Sequence, residues 1–117
     1  MRLSAREKRA ARRVPVELTA HCRIGNRFMK QPVGDLSLGG LYLKAGEPVT
    51  SEKGLPVRVA LALPYSDGPR FCTLAGQVVR IDRDEDGRLR GLAVSFEDGE
   101  MAADDRTMLE GFLAKAS

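Results

Sequence analysis

Apolar and polar residues alternate along the early part of the chain with the period of a half-buried β-strand. The apolar members of this run are Val14, Val16, Leu18, Ala20, Cys22 and Ile24. Gly25 and Asn26 then predict a hairpin turn into a second strand, over about residues 28–36. Because proline cannot donate to a β-ladder, Pro32 indicates that this second strand lies at a sheet edge or carries a bulge.

The alternation continues in further runs that are separated by turns. Leu41 and Leu43 mark a short third strand before the turn-rich segment 45–54. A fourth strand has its apolar positions at Leu55, Val57, Val59, Leu61 and Leu63. Residues 64–69 are predicted to form a loop. A long fifth strand is predicted over 71–81, with a bend or bulge near Gly76, where the apolar phase breaks.

The end of the chain changes its period from two to that of a helix. A charged turn over 82–88 leads to a last strand whose inward side chains are Leu92, Val94 and Phe96. Six strands with no helices between them predict a mostly-β antiparallel barrel or sandwich. Asp104 and Asp105 favour a helix start, and apolar residues then recur at helical spacing, namely Met108, Leu109, Phe112, Leu113 and Ala116. Residues 98–117 are therefore expected to form a C-terminal helix packed on the barrel.

Positive charge is concentrated at one end of the chain. The 117 residues are 43% hydrophobic and 30% charged, as expected for one globular domain with a single core. Residues 1–13, called the N-terminal arm below, hold five arginines and one lysine against one glutamate, so their net charge is +5. The whole chain carries +3, which leaves about −2 for the rest. Such an arm is either simply solvated or attracted to an anionic ligand.

The sequence offers little for catalysis or for metal binding. Cys22 and Cys72 fall in separate strand-like runs, and the single histidine, His21, lies on the polar phase of the first strand. We find no zinc-ligand cluster, no activated nucleophile motif and no phosphate loop. The sequence also lacks a signal peptide and a run of 18 apolar residues. We therefore expect a cytoplasmic non-enzyme with reduced thiols, no cofactor and no membrane insertion.

Two motifs carry candidate binding chemistry. One is the arginine pair Arg9 and Arg13, and the other is D-x-S-x-x-G, formed by Asp35, Ser37 and Gly40. The planar fork of arginine pairs with two acceptors at once, which suits phosphate and the O6/N7 edge of guanine. In an extended strand, Asp35 and Ser37 would share one face, and the glycine pair ending at Gly40 would allow a tight turn with positive φ. The motifs together predict a site for a guanine-containing phosphodiester.

In order and spacing, these motifs resemble the PilZ domain family of bacterial cyclic di-GMP receptors. The two arginines precede the first strand, and D-x-S-x-x-G precedes the short strand at Leu41-Tyr-Leu43. Gly76-Gln-Val-Val-Arg80 and Gly91-Leu-Ala-Val-Ser-Phe96 are similar to the last two barrel strands of the family, so the resemblance covers about residues 8–97. It implies a six-stranded antiparallel barrel over 14–97, between a flexible arm over 1–13 and the C-terminal helix.

The resemblance also implies a mechanism for binding cyclic di-GMP. The arm, mobile without ligand, would close over cyclic di-GMP on the barrel face that bears Asp35 and Ser37. Arg9 and Arg13 would grip guanine edges and phosphates. Asp35 would accept guanine N–H groups or orient an arginine, Ser37 would meet phosphate or base, and Gly40 would allow the turn.

Three further residues are candidates for the same site. Arg80 would cover a base, unless it is an ordinary exposed strand arginine, and Arg12 and Lys8 would contact phosphate, unless they are merely solvated. The receptor would then act on a downstream protein partner of unknown identity. Two alternatives stay open: a nucleic-acid-binding barrel and an adaptor that needs no ligand. We expect no nucleic acid, because several of the few aromatic residues fall on core phases and leave little surface for stacking.

Overall fold

The computed structural model describes residues 13–44, 53–97 and 101–116, which form six strands and one helix. The strands are β1 (Val14–Ile24), β2 (Arg27–Leu36), β3 (Gly40–Lys44), β4 (Pro56–Tyr65), β5 (Gly68–Arg83) and β6 (Leu89–Phe96), and the helix is α1 (Ala103–Ala116). All neighbouring strands are antiparallel, and the order β1-β2-β3-β6-β5-β4 closes into a barrel because β4 also pairs with β1. The predicted mostly-β antiparallel barrel with a C-terminal helix is confirmed, and the sandwich alternative is wrong.

Strand alternation fills the barrel interior with aliphatic side chains. Ala20 of β1 faces Leu61 of β4 in register, and both side chains are fully buried. The inward residues predicted for the last strand, Leu92, Val94 and Phe96, are buried as well. Burial of each large aliphatic side chain contributes about 1.5–3 kcal/mol, so this interior is the main source of stability.

The helix α1 packs on the hairpin formed by β4 and β5. Its buried residues Leu109 and Leu113 belong to the same core cluster as the barrel interior. The hydroxyl of Tyr65 donates a hydrogen bond to the carbonyl oxygen of Met108 at 2.6 Å. The backbone N–H of Thr73 donates to the carboxylate of Asp105 at 3.2 Å. The helix is therefore fixed both by apolar burial and by polar contacts at its two neighbouring strands.

The loop predicted over residues 64–69 is wrong, because β4 and β5 continue through both prolines into a tight turn. Tyr65 pairs with Gly68, and Pro64 pairs with Pro69. The register of β1 with β4 ends at Leu61, and that of β6 with β5 ends at Gly76. The β4–β5 hairpin thus projects beyond β1 and β6. Among the described residues, no strand lies beside it there to accept a hydrogen bond from position 64 or 69, so proline is tolerated at both.

Pro32 lies where the prediction of an edge or bulge placed it. The pairing of β2 with β3 begins only at Val33, and its register shifts between Val33 and Asp35. Pro32 therefore lies one residue before the first residue of β2 that pairs with β3, beside an irregular step of that ladder. At such a position a residue without a donor is tolerated.

The bulge predicted near Gly76 lies further along β5. Residues Val78 and Arg80 pair with consecutive positions of β6, so Val79 is the extra residue. Gly76 has a different purpose: a Cβ atom there would lie 2.1 Å from the carbonyl oxygen of Ser95. Glycine at this position reflects the close approach of β5 and β6 rather than a bend.

Two classes of feature are absent from the described ranges 13–44, 53–97 and 101–116. No helix in them is both long enough and apolar enough to cross a membrane. No cluster of three or more histidine, cysteine or acidic side chains that could hold a metal occurs in them. Cys22 and Cys72 are buried and unpaired, and burial raises the pKa of each thiol to about 11.

The close approach at Gly76 predicts a large cost for the smallest possible side chain. Gly76→Ala should lower the free energy of unfolding by about 1–3 kcal/mol, since backbone must move to admit a methyl group. Gly34→Ala is the matched control, because the atom nearest to its Cβ is the end of the Lys44 side chain at 3.3 Å, which can move aside. Equal urea midpoints for the two variants would contradict this explanation.

Candidate ligand-binding face

The register of the barrel places three polar side chains in one row. Asp35 of β2 pairs with Tyr42 of β3, Tyr42 pairs with Ala93 of β6, and Ala93 pairs with Arg80 of β5. Directly paired residues present their side chains on the same face of a sheet. Asp35, Tyr42 and Arg80 therefore share one outer surface, which together with Arg13 and Asp82 is called the arginine face below.

The two sequence motifs meet at an ion pair. Arg13 directly precedes β1, and its guanidinium Nη1 donates to the carboxylate Oδ1 of Asp35. Val14 pairs with Leu36, so the register brings Arg13 and Asp35 to the same end of the two strands. The Arg13 side chain is 52% exposed, and exposed ion pairs contribute only about 0–1 kcal/mol to stability. The contact consequently orients Arg13 more than it stabilises the fold.

Arg80 belongs to a second polar cluster on the same face. Its Nε donates to Asp82 Oδ1 at 2.8 Å, and the hydroxyl of Tyr42 donates to Asp82 Oδ2 at 2.9 Å. The Arg80 guanidinium carbon also lies 6.0 Å from the centroid of the Tyr42 ring, within cation–π range. Asp82 thus holds an arginine that is still 62% exposed to solvent.

The cluster shifts the ionisation of its members in opposite directions. The hydrogen bond from Arg80, followed by that from Tyr42, lowers the pKa of Asp82 below its usual value. Burial, followed by the hydrogen bond to Asp82, raises the pKa of Tyr42. The same hydrogen bond to Asp82 raises the pKa of Arg80. At neutral pH the cluster is therefore a carboxylate held between a guanidinium and a neutral phenol.

Tyr42 and Asp82 were not among the predicted site residues, and Asp82 was assigned to a charged turn. The strand β5 in fact continues to Arg83, so Asp82 lies two residues from Arg80 on an extended strand. Spacing by two residues places side chains on the same face, and this signal was present in the sequence. Tyr42 needed the register of β3 with β6, which the sequence pattern alone does not supply.

Gly91 makes room for the Tyr42 ring. A Cβ atom on Gly91 would lie 2.4 Å from both Cζ and the hydroxyl oxygen of Tyr42. Gly91 pairs with Asp82 across β5 and β6. The phenol therefore crosses the bare backbone of Gly91 to reach the Asp82 carboxylate, and any side chain at position 91 would block this path.

Extended geometry predicted that Ser37 and Asp35 share one exposed face, and this prediction is wrong. The strand β2 ends at Leu36, so the alternation stops one residue before Ser37, which is only 3% exposed. Its hydroxyl accepts a hydrogen bond from the N–H of Gly39 at 3.1 Å and donates to the carbonyl of Gly40 at 3.3 Å. In this structure Ser37 shapes the turn between β2 and β3.

The expectation of a positive φ at the glycine pair is also wrong. Within residues 13–44, 53–97 and 101–116, the glycines with positive φ are Gly25, Gly54, Gly68 and Gly87, and neither Gly39 nor Gly40 is among them. A Cβ atom on Gly40 would instead lie 2.2 Å from the carbonyl oxygen of Val94. Gly40 is therefore required by the close approach of β3 to β6, and the turn follows from that packing.

Three of the predicted ligand contacts, Lys8, Arg9 and Arg12, lie outside the described residues. The structure brings together Arg13, Asp35 and, across the row, Arg80. The ligand roles of all these residues, and the division of the chain into arm, barrel and helix, stay predictions.

Comparisons with known proteins give one family. The family model described as "PilZ domain" matches residues 7–115, which is nearly the whole chain. No curated protein matches at a comparable level. Among solved structures, 13 chains match.

Three of these structures show the range of the likeness. The Bacillus subtilis inhibitor of motility (MotI/DgrA) superimposes with a TM-score of 0.76 at 19% identity, over 90% of this chain and 48% of that one. The PilZ domain of Escherichia coli YcgR with c-di-GMP superimposes with a TM-score of 0.65 at 15% identity, over 91% of this chain and 88% of that one. The Borreliella burgdorferi PlzA protein in complex with c-di-GMP superimposes with a TM-score of 0.56 at 12% identity, over 94% of this chain and 44% of that one. This chain thus spans about half the length of the first and third proteins, and at these identities the likeness shows the fold.

The contact of Tyr42 with Gly91 predicts a specific spectroscopic effect. Gly91→Ala should push the phenol away from Asp82 and so lower the Tyr42 pKa toward its ordinary value, as followed by NMR of the ring signals against pH. Gly111→Ala is the control, because the Cβ atom it adds faces the hydroxyl of the other tyrosine, Tyr65, at 3.2 Å. A Tyr42 titration that is unchanged in Gly91→Ala would overturn the assignment.

Proposed function

Because the chain belongs to the PilZ domain family, we propose that it is a receptor that binds cyclic di-GMP on the arginine face. The observation that carries this proposal is the contact of Arg13 with Asp35, which joins the arginine motif to the D-x-S-x-x-G motif. Two structures with the same fold, those of YcgR and PlzA, are described as holding c-di-GMP. Their ligand supports the same class of ligand here.

The chemistry of the arginine face suits this ligand. Cyclic di-GMP offers two anionic phosphates and two guanine edges, each with O6 and N7 as paired acceptors. The exposed forks of Arg13 and Arg80 match such acceptors. Asp35 either keeps Arg13 oriented or accepts the N–H donors of guanine, and adenine lacks the matching O6 acceptor. The face therefore favours guanine over adenine.

Ser37 and Gly40 contribute to the site through the backbone in this proposal. Their hydrogen bonds and close packing set the path of residues 37–40, beside Asp35. A shift in this turn would move Asp35 and, through the ion pair, Arg13. Substitution of Ser37 or Gly40 should therefore lower the affinity for cyclic di-GMP by less than the loss of an arginine fork does.

We further propose that ligand binding orders the arm. Arg9, with Arg12 and Lys8, would close over a doubly anionic ligand that is held by Arg13 at the root of the arm. The ordered arm and the arginine face would then form a surface that a downstream protein recognises. Signalling through such a surface requires no chemical reaction. The protein would act as a cytoplasmic adaptor and not as an enzyme.

Calorimetric titration tests this function directly. Cyclic di-GMP should bind with a Kd of roughly 1 μM, about −8 kcal/mol, and cyclic di-AMP far more weakly. Arg13→Ala and Arg9→Ala should each cost about 1–3 kcal/mol of binding free energy, the value of one bidentate guanine contact. Because Arg13 contributes little to the fold, its variant should melt within about a degree or two of the parent protein.

The matched control is Arg27→Ala, which removes an exposed arginine at the opposite end of β2 from Asp35. Its affinity for cyclic di-GMP should equal that of the parent protein. Equal binding of the two cyclic dinucleotides would contradict the proposal, as would full affinity in the Arg9→Ala, Arg13→Ala double variant.

A further inference from the structure

A groove crosses the outer wall of the barrel on strands β2, β1, β4 and β5. Its volume is about 560 Å³, and its lining includes Arg23, Phe28, Lys30, Arg58, Ala60 and Thr73. Lys30 is the lining residue of β2 nearest to Asp35, and the two are five residues apart, so the groove is about 17 Å from the arginine face along that strand. It is a separate surface, which the proposed ligand does not use.

The shape of the groove follows from the sizes of neighbouring side chains. Ala60 pairs with His21 on one side and with Thr73 on the other, so a short alanine side chain lies at the floor between two larger neighbours. Phe28 forms a wall and is 79% exposed, which is unusual for so large an apolar side chain. A second exposed aromatic residue, Phe71, is 70% exposed and lies two residues from Thr73 on the same face of β5.

The groove is also strongly cationic. Its lining includes the permanent cations Arg23, Lys30 and Arg58 and contains no carboxylate. Among the described residues, Lys30 and Arg58 form no ion pair and no side-chain hydrogen bond. Unpaired cations around an apolar floor are complementary to a partner that combines apolar residues with carboxylates.

We propose that this groove docks an acidic amphipathic helix of a partner protein. The four strands span about 14 Å, which accommodates about two helical turns, or about 11 Å of helix axis. Apolar residues at i, i+3 and i+4 of such a helix would contact Ala60 and Phe28, and flanking Asp or Glu would pair with Lys30 and Arg58. Burial of the exposed Phe28 ring supplies the apolar part of the binding free energy, and the cations favour a partner helix that carries negative charge.

Two other modes of binding fit the groove less well. An added β-strand is excluded there, because β1 is already paired on both sides, with Phe28 and Arg58 both opposite Arg23. Single-stranded nucleic acid needs aromatic faces on which successive bases stack. Phe28 lines the groove, whereas the exposed ring of Phe71 lies outside the lining, and the Arg23 guanidinium carbon lies 5.9 Å from the centroid of the Phe28 ring. One face of that ring is therefore engaged within the protein.

The test uses the full chain and three probes that differ in charge and class. The first is a labelled helical peptide of about four turns with leucines at i, i+3, i+4 and i+7 and glutamates on the flanks. The second has lysine in place of each glutamate, and the third is a single-stranded oligothymidylate of similar length. Binding is followed by fluorescence anisotropy, and the contact surface is mapped by amide shifts in NMR.

The acidic peptide should bind, shift the amides of Ala60 and Thr73, and weaken as salt is raised. Phe28→Ala and Arg58→Glu should each reduce its affinity about tenfold or more, as expected for residues at the centre of an interface. Arg88→Glu, an equal charge change in the turn between β5 and β6, should leave it unchanged. All three variants should keep the parent affinity for cyclic di-GMP, which separates this proposal from the proposed receptor function.

Three results would overturn the proposal. Equal binding of the acidic and basic peptides would show that charge does not select the partner. Preferential binding of the oligothymidylate would assign the groove to nucleic acid. Absence of amide shifts at Ala60 and Thr73 up to millimolar acidic peptide would show that the groove docks no such helix.

Discussion

The close approach of β6 to both of its neighbours is the constraint on which the rest of the structure depends. On one side Gly40 faces the carbonyl of Val94, and on the other Gly76 faces the carbonyl of Ser95, with room for no Cβ atom at either position. These two contacts let β6 pair with β3 and β5 and so close the sheet into a barrel. Closure in turn fixes the register that places Asp35, Tyr42 and Arg80 in one row.

The arginine face contains two arginines that are held by different numbers of contacts. Arg13 is anchored to Asp35 by a single exposed ion pair, and a ligand that offers better acceptors can exchange with it at little cost. Arg80 is held by Asp82, which also accepts from Tyr42, and the ring of Tyr42 rests on Gly91. One arginine is thus easily redirected while the other is oriented in advance, an arrangement that suits recognition of a ligand with two equivalent halves.

Periodicity predicted the strands and the helix well, because burial imposes the alternation of residues such as Ala20 and Cys22 directly on the sequence. Turn chemistry was less reliable: Pro64 and Pro69 suggested a loop, but both lie on a hairpin that projects past its neighbours. The glycines Gly40 and Gly76 were predicted to be important for the wrong reason, since close approach between strands leaves no local signal. Tyr42 was missed because its function depends on pairing with a strand about fifty residues away.

The central claim is that the arginine face and the arm act together on cyclic di-GMP, and amide hydrogen exchange with and without the ligand tests it most directly. We expect saturating cyclic di-GMP to slow exchange in residues 1–13 and 35–40, while residues 57–63 on the opposite wall of the barrel stay unchanged. Exchange in the arm that is identical with and without bound ligand would contradict the account. Protection confined to residues 57–63 would place the ligand on another face.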